Sequence, residues 1–225
     1  MKDNFIHVCF IIDSSGSMYG SEADVIGGFK RVVEEQKSVE NGQCAISMID
    51  FNNEAEIVYI GKDVNEIEDD LDYHVGGGTA LLDAIMLGIE RVHNWNLSLD
   101  SAERPEKTMV VIMTDGGENC SRNTTTSEVR NKIKEMETEF GWTFVYLGAD
   151  LSNVNDADSL GIHTRGVSTK ASLTSNYDVI NTVTSAYRCA TGSAATKAAT
   201  MDSLLADEMS YINTAYCDQT GIDIQ

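Results

Sequence analysis

A continuous apolar run near the start of the chain leads directly into an acidic, serine-rich loop: residues 5–17 read FIHVCFIIDSSGS. Apolar residues at consecutive positions are typical of a strand that is covered on both faces, as in a parallel sheet flanked by helices. Asp13 and the serines after it therefore follow the end of a buried strand. In an open α/β sheet, ligands bind beyond the carboxyl ends of the strands. This loop is therefore a candidate binding site.

The remainder of the chain alternates between strand-like and helix-like segments. Strands are predicted at residues 5–12, 43–51, 55–60, 108–113, 142–147 and 162–167. Helices are predicted at residues 22–38, from Thr79 through Val92, and at residues 125–140, 151–161 and 175–190. This order predicts an α/β fold with a doubly wound, mostly parallel sheet and helices on both faces. Asn52-Asn53 turns the chain into residues 55–60, which predicts a hairpin and one antiparallel edge strand.

Two regions differ in composition. Residues 1–191 are interpreted as one domain, because single α/β domains often reach this length. Residues 192–225 form a tail that is rich in Ala, Thr and Ser at its start. The tail then carries apolar side chains at helical spacing: Leu204, Leu205, Met209, Ile212 and Tyr216. Such a stripe could dock on the domain, join two copies into an oligomer or bind a partner.

The charge of the chain narrows the classes of partner. The 225 residues include 36 acidic and 16 basic side chains, for a net charge of −20. Such a field repels phosphate backbones and attracts cations, so it argues against nucleic acid as a partner. No segment has the length or flanks of a membrane span or signal peptide. Five widely spaced cysteines argue against a disulfide framework or zinc site. A cytoplasmic protein with no membrane partner is expected.

Three separated segments carry oxygen-bearing side chains at places where a sheet could bring them together. Asp13, Ser15 and Ser17 follow the first strand, and Asp115 follows the strand at residues 108–113. Thr79 follows the glycine run at residues 76–78 and precedes a helix. Since the carboxyl ends of parallel strands share one edge of the sheet, these segments are expected to meet at one crevice.

The residue types at this crevice suit a hard divalent cation. All the side-chain donors are oxygens, which Mg²⁺ prefers. Two carboxylates roughly balance the charge of the ion, and the hydroxyls add ligands without adding repulsion. Gly16 permits the tight turn that lets Ser15 and Ser17 face the same way. The sequence therefore predicts a metal site at Asp13, Ser15, Ser17, Thr79 and Asp115.

The pattern of these residues resembles one family. Asp13-x-Ser15-x-Ser17-Met18, a distant Thr79 and Thr114-Asp115-Gly116 are similar to the metal-ion-dependent adhesion site of the von Willebrand factor A (vWA) domain. The likeness covers roughly residues 5–190, and all five ligand positions match. The stretch at residues 145–150, Val-Tyr-Leu-Gly-Ala-Asp, also resembles compact bacterial or phage members.

The resemblance implies a Rossmann-like fold with a bound Mg²⁺, for which Mn²⁺ or Ca²⁺ could substitute. It implies that Ser15, Ser17 and Thr79 bind the metal through their hydroxyls, while Asp13 and Asp115 act directly or through water. Family members typically use the ion to grip a Glu or Asp of another protein. Small soluble members often act beside an ATPase or another product of the same operon. The implied function is therefore metal-dependent protein binding, in the cytoplasm of the host if the chain is phage-encoded.

Two alternatives remain open from the residues themselves. A Mg²⁺-dependent hydrolase or phosphatase could use Asp13 and Asp115 around a metal to activate water. Near these motifs, however, the sequence has no recognisable second acid or phosphate-gripping Lys or Arg, so an enzyme is not expected. The second alternative is a structural protein that assembles with itself through the tail.

Overall fold

The architecture is built around one central sheet. The computed structural model describes residues 1–68, 71–148, 152–167 and 173–221. Its strands are β1 (Lys2–Asp13), β2 (Gln43–Phe51), β3 (Ala55–Asp63), β4 (Pro105–Thr114), β5 (Thr143–Gly148) and β6 (Arg165–Val167). They lie in the order β3-β2-β1-β4-β5-β6, and only β3 is antiparallel to its neighbour. The mostly parallel sheet with one antiparallel edge strand is confirmed.

Helices cover both faces of this sheet. They are α1 (Glu22–Ser38), α2 (Leu81–Ser98), α3 (Thr126–Phe140), α4 (Ser152–Leu160), α5 (Leu173–Cys189) and α6 (Ala194–Thr220). Helices α1, α5 and α6 supply side chains to one apolar core, and α2, α3 and α4 supply side chains to the other. Two short 3₁₀ turns, Gly16–Met18 and Val64–Glu66, lie in the loops. The predicted placement of helices on both faces is confirmed.

Strand β1 shows why consecutive positions from Val8 to Ile12 are all apolar. Val8 and Phe10 belong to the core beneath α1, α5 and α6. Cys9 and Ile11 belong to the core beneath α2 and α3. Because successive side chains of a strand point to opposite faces, a strand in the middle of a three-layer fold needs apolar residues throughout. Strand β4 alternates in the same way.

Several element ends differ from the predicted ones. Strand β1 begins at Lys2 rather than at residue 5, and β4 begins at Pro105, where a missing N–H costs a strand little. Helix α2 begins at Leu81 rather than at Thr79, and β6 is shorter than expected. Helix α3 begins as predicted, with Thr125 and Glu128 forming a capping box. Residues 149–150, which end the stretch likened to bacterial or phage members, lie outside the described residues.

Helix α6 packs on the same molecule. Met201, Leu205, Met209 and Ile212 belong to the core that also contains β1 and β4 side chains. Near the start of the helix, the Lys197 ammonium donates hydrogen bonds to Asn4 Oδ1 at 2.6 Å and Glu106 Oε2 at 3.0 Å, and it also contacts Asp3. Burial opposes the charge on Lys197, but these bonds outweigh it and raise its pKa. The tail docks on its own domain, and a boundary at residue 191 stays a prediction.

A buried polar group lies between the sheet and α2. His7 in β1 is fully buried, and its ring nitrogens lie 2.8 Å from Asn96 Oδ1 and 2.7 Å from Ser47 Oγ. Burial lowers the pKa of His7 to about 4, although the bond with Asn96 acts in the opposite direction. His7 is therefore a packing residue that is neutral in the folded protein at neutral pH.

All five cysteines are unpaired. Cys9 and Cys44 lie in the core, where burial raises the pKa of both thiols to about 12. No helix within the described ranges is both long enough and apolar enough to cross a membrane.

Candidate metal centre

The five predicted metal ligands lie at the carboxyl ends of the central strands. Asp13 is the last residue of β1, and Asp115 directly follows β4, the neighbour of β1 in the sheet. The glycine loop before α2 is tied to the serine loop by backbone hydrogen bonds. Gly76 N donates to Ser14 O at 2.8 Å, and Gly16 N donates to Gly77 O at 3.1 Å. These bonds bring the Thr79 segment to the same edge as the two strand ends.

Asp13 is fixed from two sides. One carboxylate oxygen, Oδ1, accepts a hydrogen bond from Ser15 N at 2.7 Å, and Oδ2 accepts one from Thr114 Oγ1 at 2.5 Å. The side chain is fully buried. Burial raises the pKa of Asp13 above the ordinary carboxyl value, the bonds from Thr114 and Ser15 lower it, and the nearby charge of Asp115 raises it further. A positive ion at this place would oppose the effect of burial and favour the carboxylate.

Ser15, Ser17 and Asp115 form a connected row. The two serine hydroxyl oxygens are 2.9 Å apart, and Ser17 Oγ donates to Asp115 Oδ1 at 2.5 Å. The 3₁₀ turn at Gly16–Met18 creates this arrangement, because it curls the backbone so that residues two apart face the same point. Met18 anchors the turn, since its side chain is buried in the core.

Thr79 is held by its backbone rather than by a helix. Its N–H donates to Asn119 Oδ1 at 2.9 Å, and its carbonyl accepts from Asn119 N at 3.1 Å. Next along the chain, Ala80 N donates to Asn52 O at 2.7 Å. The predicted helix therefore begins two residues later, at Leu81, and Thr79 stays in the loop with its side chain buried.

Gly116 shows that oxygens from all three segments meet at one point. A Cβ atom built on this glycine would lie 3.1 Å from Ser17 Oγ, 3.2 Å from Thr79 Oγ1 and 3.8 Å from Asp13 Oδ2. Because Ser15 and Asp115 are hydrogen-bonded to Ser17, the structure brings all five predicted residues together. The absence of a side chain at residue 116 leaves the space between these oxygens open.

The donor set fits a hard cation. It consists of two carboxylates and three hydroxyls, which suits Mg²⁺, Mn²⁺ or Ca²⁺ better than metals that prefer sulfur or imidazole. Across the part of the chain that the structure describes, no group of three or more His, Cys, Asp or Glu side chains could hold a metal. A metal in this region would therefore depend on the serine and threonine hydroxyls.

Several residues position the proposed ligands in ways that the sequence did not indicate, although Thr114 belongs to the motif that carries the family resemblance. Thr114 holds Asp13, Asn119 holds Thr79, and the Tyr73 hydroxyl donates to the Asp13 carbonyl oxygen. Burial and the neighbouring carboxylates raise the pKa of Tyr73, so its phenol stays protonated and can donate. Glu118 accepts from Leu82 N at 2.9 Å and from Ser121 N at 2.7 Å, so it joins the start of α2 to the loop after β4.

The site is open to solvent on the side of the serine loop. Ser17 is exposed, whereas Asp13, Ser15 and Thr79 are buried. A groove of about 810 Å³ lies close by, lined in part by Asn53, whose Oδ1 accepts from Gly78 N at 2.7 Å. Ser17 is therefore the member of this set that a group on another molecule could reach from outside.

Comparison with protein-family models assigns most of the chain to one family. Residues 7–186 match the model of the von Willebrand factor type A domain, which covers most of the chain. No curated protein matches the sequence. The matched region contains all five predicted ligands and ends before α6.

Solved structures share the fold at low identity. A von Willebrand factor type A protein from Catenulispora acidiphila is 16% identical, with a TM-score of 0.57 over 82% of this chain and 43% of that one. Proximal thread matrix protein 1 from the mussel byssus, with a zinc-occupied MIDAS motif, is 16% identical, with a TM-score of 0.55 over 81% of this chain and 47% of that one.

A third structure is covered almost completely. The vWF domain of the pilus tip protein Mfa5 from Porphyromonas gingivalis is 12% identical, with a TM-score of 0.61 over 84% of this chain and 97% of that one. This chain spans less than half the length of the Catenulispora and mussel proteins. At these identities the likeness establishes a shared fold.

Proposed function

Because this chain belongs to the von Willebrand factor type A domain family, we propose that it is a protein-binding module that grips an acidic residue of a partner through a Mg²⁺ ion. Domains of this family act in protein interaction and adhesion, some of them through a metal. The ion would be held by Asp13, Ser15, Ser17, Thr79 and Asp115. The observation that supports the proposal is the meeting of Ser17, Thr79 and Asp13 oxygens beside Gly116.

The chemistry of the set supports binding of an external carboxylate. Three neutral hydroxyls and two carboxylates leave a divalent ion close to charge balance, so one further anion is not strongly repelled. The exposed position of Ser17 supports access from outside. Mn²⁺ or Ca²⁺ could replace Mg²⁺, since both accept oxygen ligands.

The positions of His7 and His93 argue for binding rather than catalysis, so we propose that the chain is not an enzyme. A hydrolase needs a base or acid beside the metal. His7 is enclosed by Asn96 and Ser47, and His93 packs against the Phe140 and Trp142 rings. Neither of these two histidines is available to act at the proposed metal ligands.

The proposed partner is a protein that offers a Glu or Asp, such as an ATPase or another product of the same operon. The proposed location is the cytoplasm of a bacterium, or of the host if the chain is phage-encoded. Five unpaired cysteines support a reducing compartment, because free thiols persist there. Fractionation of cells that produce the protein, with a marker for each compartment, would test the location.

The experiment that tests the function compares partner capture with and without metal. Tagged full-length protein is incubated with lysate in Mg²⁺ or in EDTA, beside the Asp13→Asn and Asp115→Ala variants. Glu139→Gln is the matched control, because it removes one exposed carboxylate on α3, outside the metal centre. We expect one or more proteins to be captured only in Mg²⁺, by wild type and Glu139→Gln alone. Capture that survives both EDTA and Asp13→Asn would refute the proposal.

A direct titration separates metal binding from partner binding. Calorimetry with Mn²⁺ is expected to show one site on wild type and Glu139→Gln, and none on Asp115→Ala. Thermal unfolding in EDTA checks that each variant is folded. A wild-type protein that binds no divalent ion would contradict the proposal at its first step.

A further inference from the structure

Strand β3 is the outermost of the described strands on one side of the sheet, so one side of its backbone faces no other strand of that sheet. It runs for nine residues, Ala55–Asp63, and Glu56, Ile57 and Val58 are all exposed. Ile57 is 40% exposed and Val58 is 44% exposed. The backbone of an edge strand can pair with a strand of another chain, and β-branched residues such as these favour strand pairing.

The charges of β3 are complementary to those of a second copy that runs antiparallel about Tyr59. Positions equally far from Tyr59 then lie opposite each other, so Glu56 of each copy faces Lys62 of the other. In β2, Glu56 is paired with Asp50 and Lys62 with Ile46, which are four residues apart and share one face of the sheet, so Glu56 and Lys62 share that face too. Within one copy, Glu56 lies opposite the like charge of Asp50, so a cation on its outer side would be favourable.

Two irregularities in β3 lie on opposite sides of Tyr59. The register with β2 shifts on each side of this residue, so one extra residue lies at Val58 and another at Ile60 or Gly61. Such bulges usually hinder the pairing of an edge strand with another chain. In the antiparallel arrangement, however, Val58 of one copy faces Ile60 of the other, so bulge lies against bulge and the positions beyond them stay in register. Ile57 then faces Gly61, which has no side chain to oppose it.

We propose that two copies of this chain pair antiparallel through β3, with a two-fold axis at Tyr59 and an ion pair between Glu56 and Lys62 on each side of it. The pairing would join two sheets into one continuous sheet, in a closed dimer that uses the same surface of both copies. Each copy carries a net charge of −20, which opposes association. The dimer is therefore expected to be weak, and the two ion pairs fix its register.

The strand directions place the two proposed metal centres at opposite ends of such a dimer. Strand β1 is parallel to β2, and β2 is antiparallel to β3. Antiparallel β3 strands therefore make the β1 strands of the two copies antiparallel as well, so Asp13, at the end of β1, lies at opposite ends of the joined sheet. One dimer could then connect two partner molecules, with a gain in avidity. This consequence rests on the proposed function, whereas the pairing of β3 does not.

Charge reversal on each side of the proposed ion pair tests this directly. Sedimentation of the full-length protein, from about 5 μM to about 500 μM, measures the dimer dissociation constant of wild type, Glu56→Lys, Lys62→Glu and the double variant. The matched controls are Glu139→Lys and Lys134→Glu, which change the net charge equally but lie at exposed positions on α3. Circular dichroism and thermal unfolding check that every variant is folded. All measurements are made in Mg²⁺ and in EDTA.

We expect wild type and both controls to dimerise, and each single reversal at β3 to weaken the dimer about tenfold or more, because it sets like charges opposite each other at two places. The double variant should dimerise within about threefold of wild type, since both ion pairs are restored with exchanged signs. An equimolar mixture of Glu56→Lys and Lys62→Glu should likewise form a mixed dimer, because opposite charges again face each other at both places.

A wild-type protein that stays monomeric up to the highest concentration would overturn the inference, and β3 would then be left for a different occupant. A dimer that both single reversals leave unchanged would also overturn it, as would single reversals that neither the double variant nor the mixture restores. Failure of the proposed function would look different: the dimer would form equally in Mg²⁺ and EDTA, while no divalent ion would bind in the Mn²⁺ titration. Loss of the dimer in EDTA would count against pairing through β3.

Discussion

The Thr114 hydroxyl donates a 2.5 Å hydrogen bond to Oδ2 of Asp13, so the residue just before one proposed ligand fixes the orientation of another. Thr114 Oγ1 also accepts from Gly116 N at 3.1 Å and lies 2.9 Å from Gly116 O. One side chain therefore connects the end of β1 with the turn after β4.

Replacement of Thr114 by Val should weaken metal binding without removing a ligand. Residues that orient metal ligands typically contribute about ten- to a hundredfold to metal affinity, and we expect a loss of about tenfold in Mn²⁺ affinity. Calorimetric titration measures it. Thr114→Ser, which keeps the hydroxyl, should recover most of the affinity. Thr143→Val, a change at the opposite end of the sheet, should have no effect. Unchanged affinity in Thr114→Val would contradict this role.

Replacement of Gly116 by Ala tests the space between the oxygens. The added methyl group would lie within 3.2 Å of Ser17 Oγ and Thr79 Oγ1, so we expect Mn²⁺ binding to fall below detection in a titration. Gly117→Ala is a close control, since its Cβ would meet only Asp156 Oδ2 at 3.6 Å. Neither glycine has a positive φ, so neither substitution strains the backbone. Equal metal affinity in both variants would show that the ion binds elsewhere.

His7 should make folding stability depend on pH. Its pKa is about 4 in the folded protein against 6.5 in the unfolded chain, so the unfolded state takes up the proton first as pH falls. The stability that His7 contributes is complete above pH 6.5 and is lost progressively between pH 6.5 and pH 4. From these pKa values we expect a loss of about 2 kcal/mol between pH 7 and pH 5.

Urea unfolding of wild type and His7→Gln at the two pH values measures this loss. The carboxylates titrate in both proteins, so the difference between the two pH dependences isolates the histidine. The prediction would be refuted if the free energy of unfolding changed with pH by the same amount in both proteins.

Lys197 should hold the start of α6 on the sheet. Its ammonium is 1% exposed and the Glu106 side chain is 8% exposed, so Lys197→Met leaves a largely buried carboxylate without its cation. We expect a loss of about 3 kcal/mol in the free energy of unfolding, measured in urea. Adding Glu106→Gln to this variant should restore much of the stability, because the uncompensated charge is removed. A double variant as unstable as the single one would show that packing, rather than charge, is responsible.

Truncation after residue 191 separates two roles of the tail. Loss of α6 would expose the apolar surface that Met201, Leu205, Met209 and Ile212 now cover. We expect the truncated protein to aggregate or to unfold at a lower temperature. The self-assembly alternative expects a truncated protein that stays folded and becomes monomeric. Circular dichroism and light scattering on both lengths decide between these outcomes.

Elements with strong local sequence patterns could be predicted from the sequence. The apolar run of β1 and the Thr125–Glu128 capping box have signals within a few residues, and both were predictable. The Asp13, Thr79 and Asp115 segments could be assigned to one edge because parallel strands share their carboxyl ends.

Contacts between distant segments were not predictable in this way. The Thr114-Asp115-Gly116 motif placed this segment near Asp13, but neither it nor the sequence around Asn119 specifies the bonds to Asp13 and Thr79, because each bond depends on segments that meet only in the folded chain. The start of α2 moved to Leu81 for the same reason, since the Thr79 backbone is bonded to Asn119. An apolar stripe such as that of α6 has the same sequence pattern whether the helix packs on its own domain or on another protein.

The five converging residues come from three segments that only the pairing of β1 with β4 and the closure of the glycine loop bring together. A partly folded chain therefore has no such centre. If the centre binds metal as proposed, binding is possible only for the native state, so each increase in free Mg²⁺ raises the unfolding temperature through mass action. Binding of a partner through the ion would then be restricted to folded molecules, because only molecules in which β1 is paired with β4 would have the metal centre.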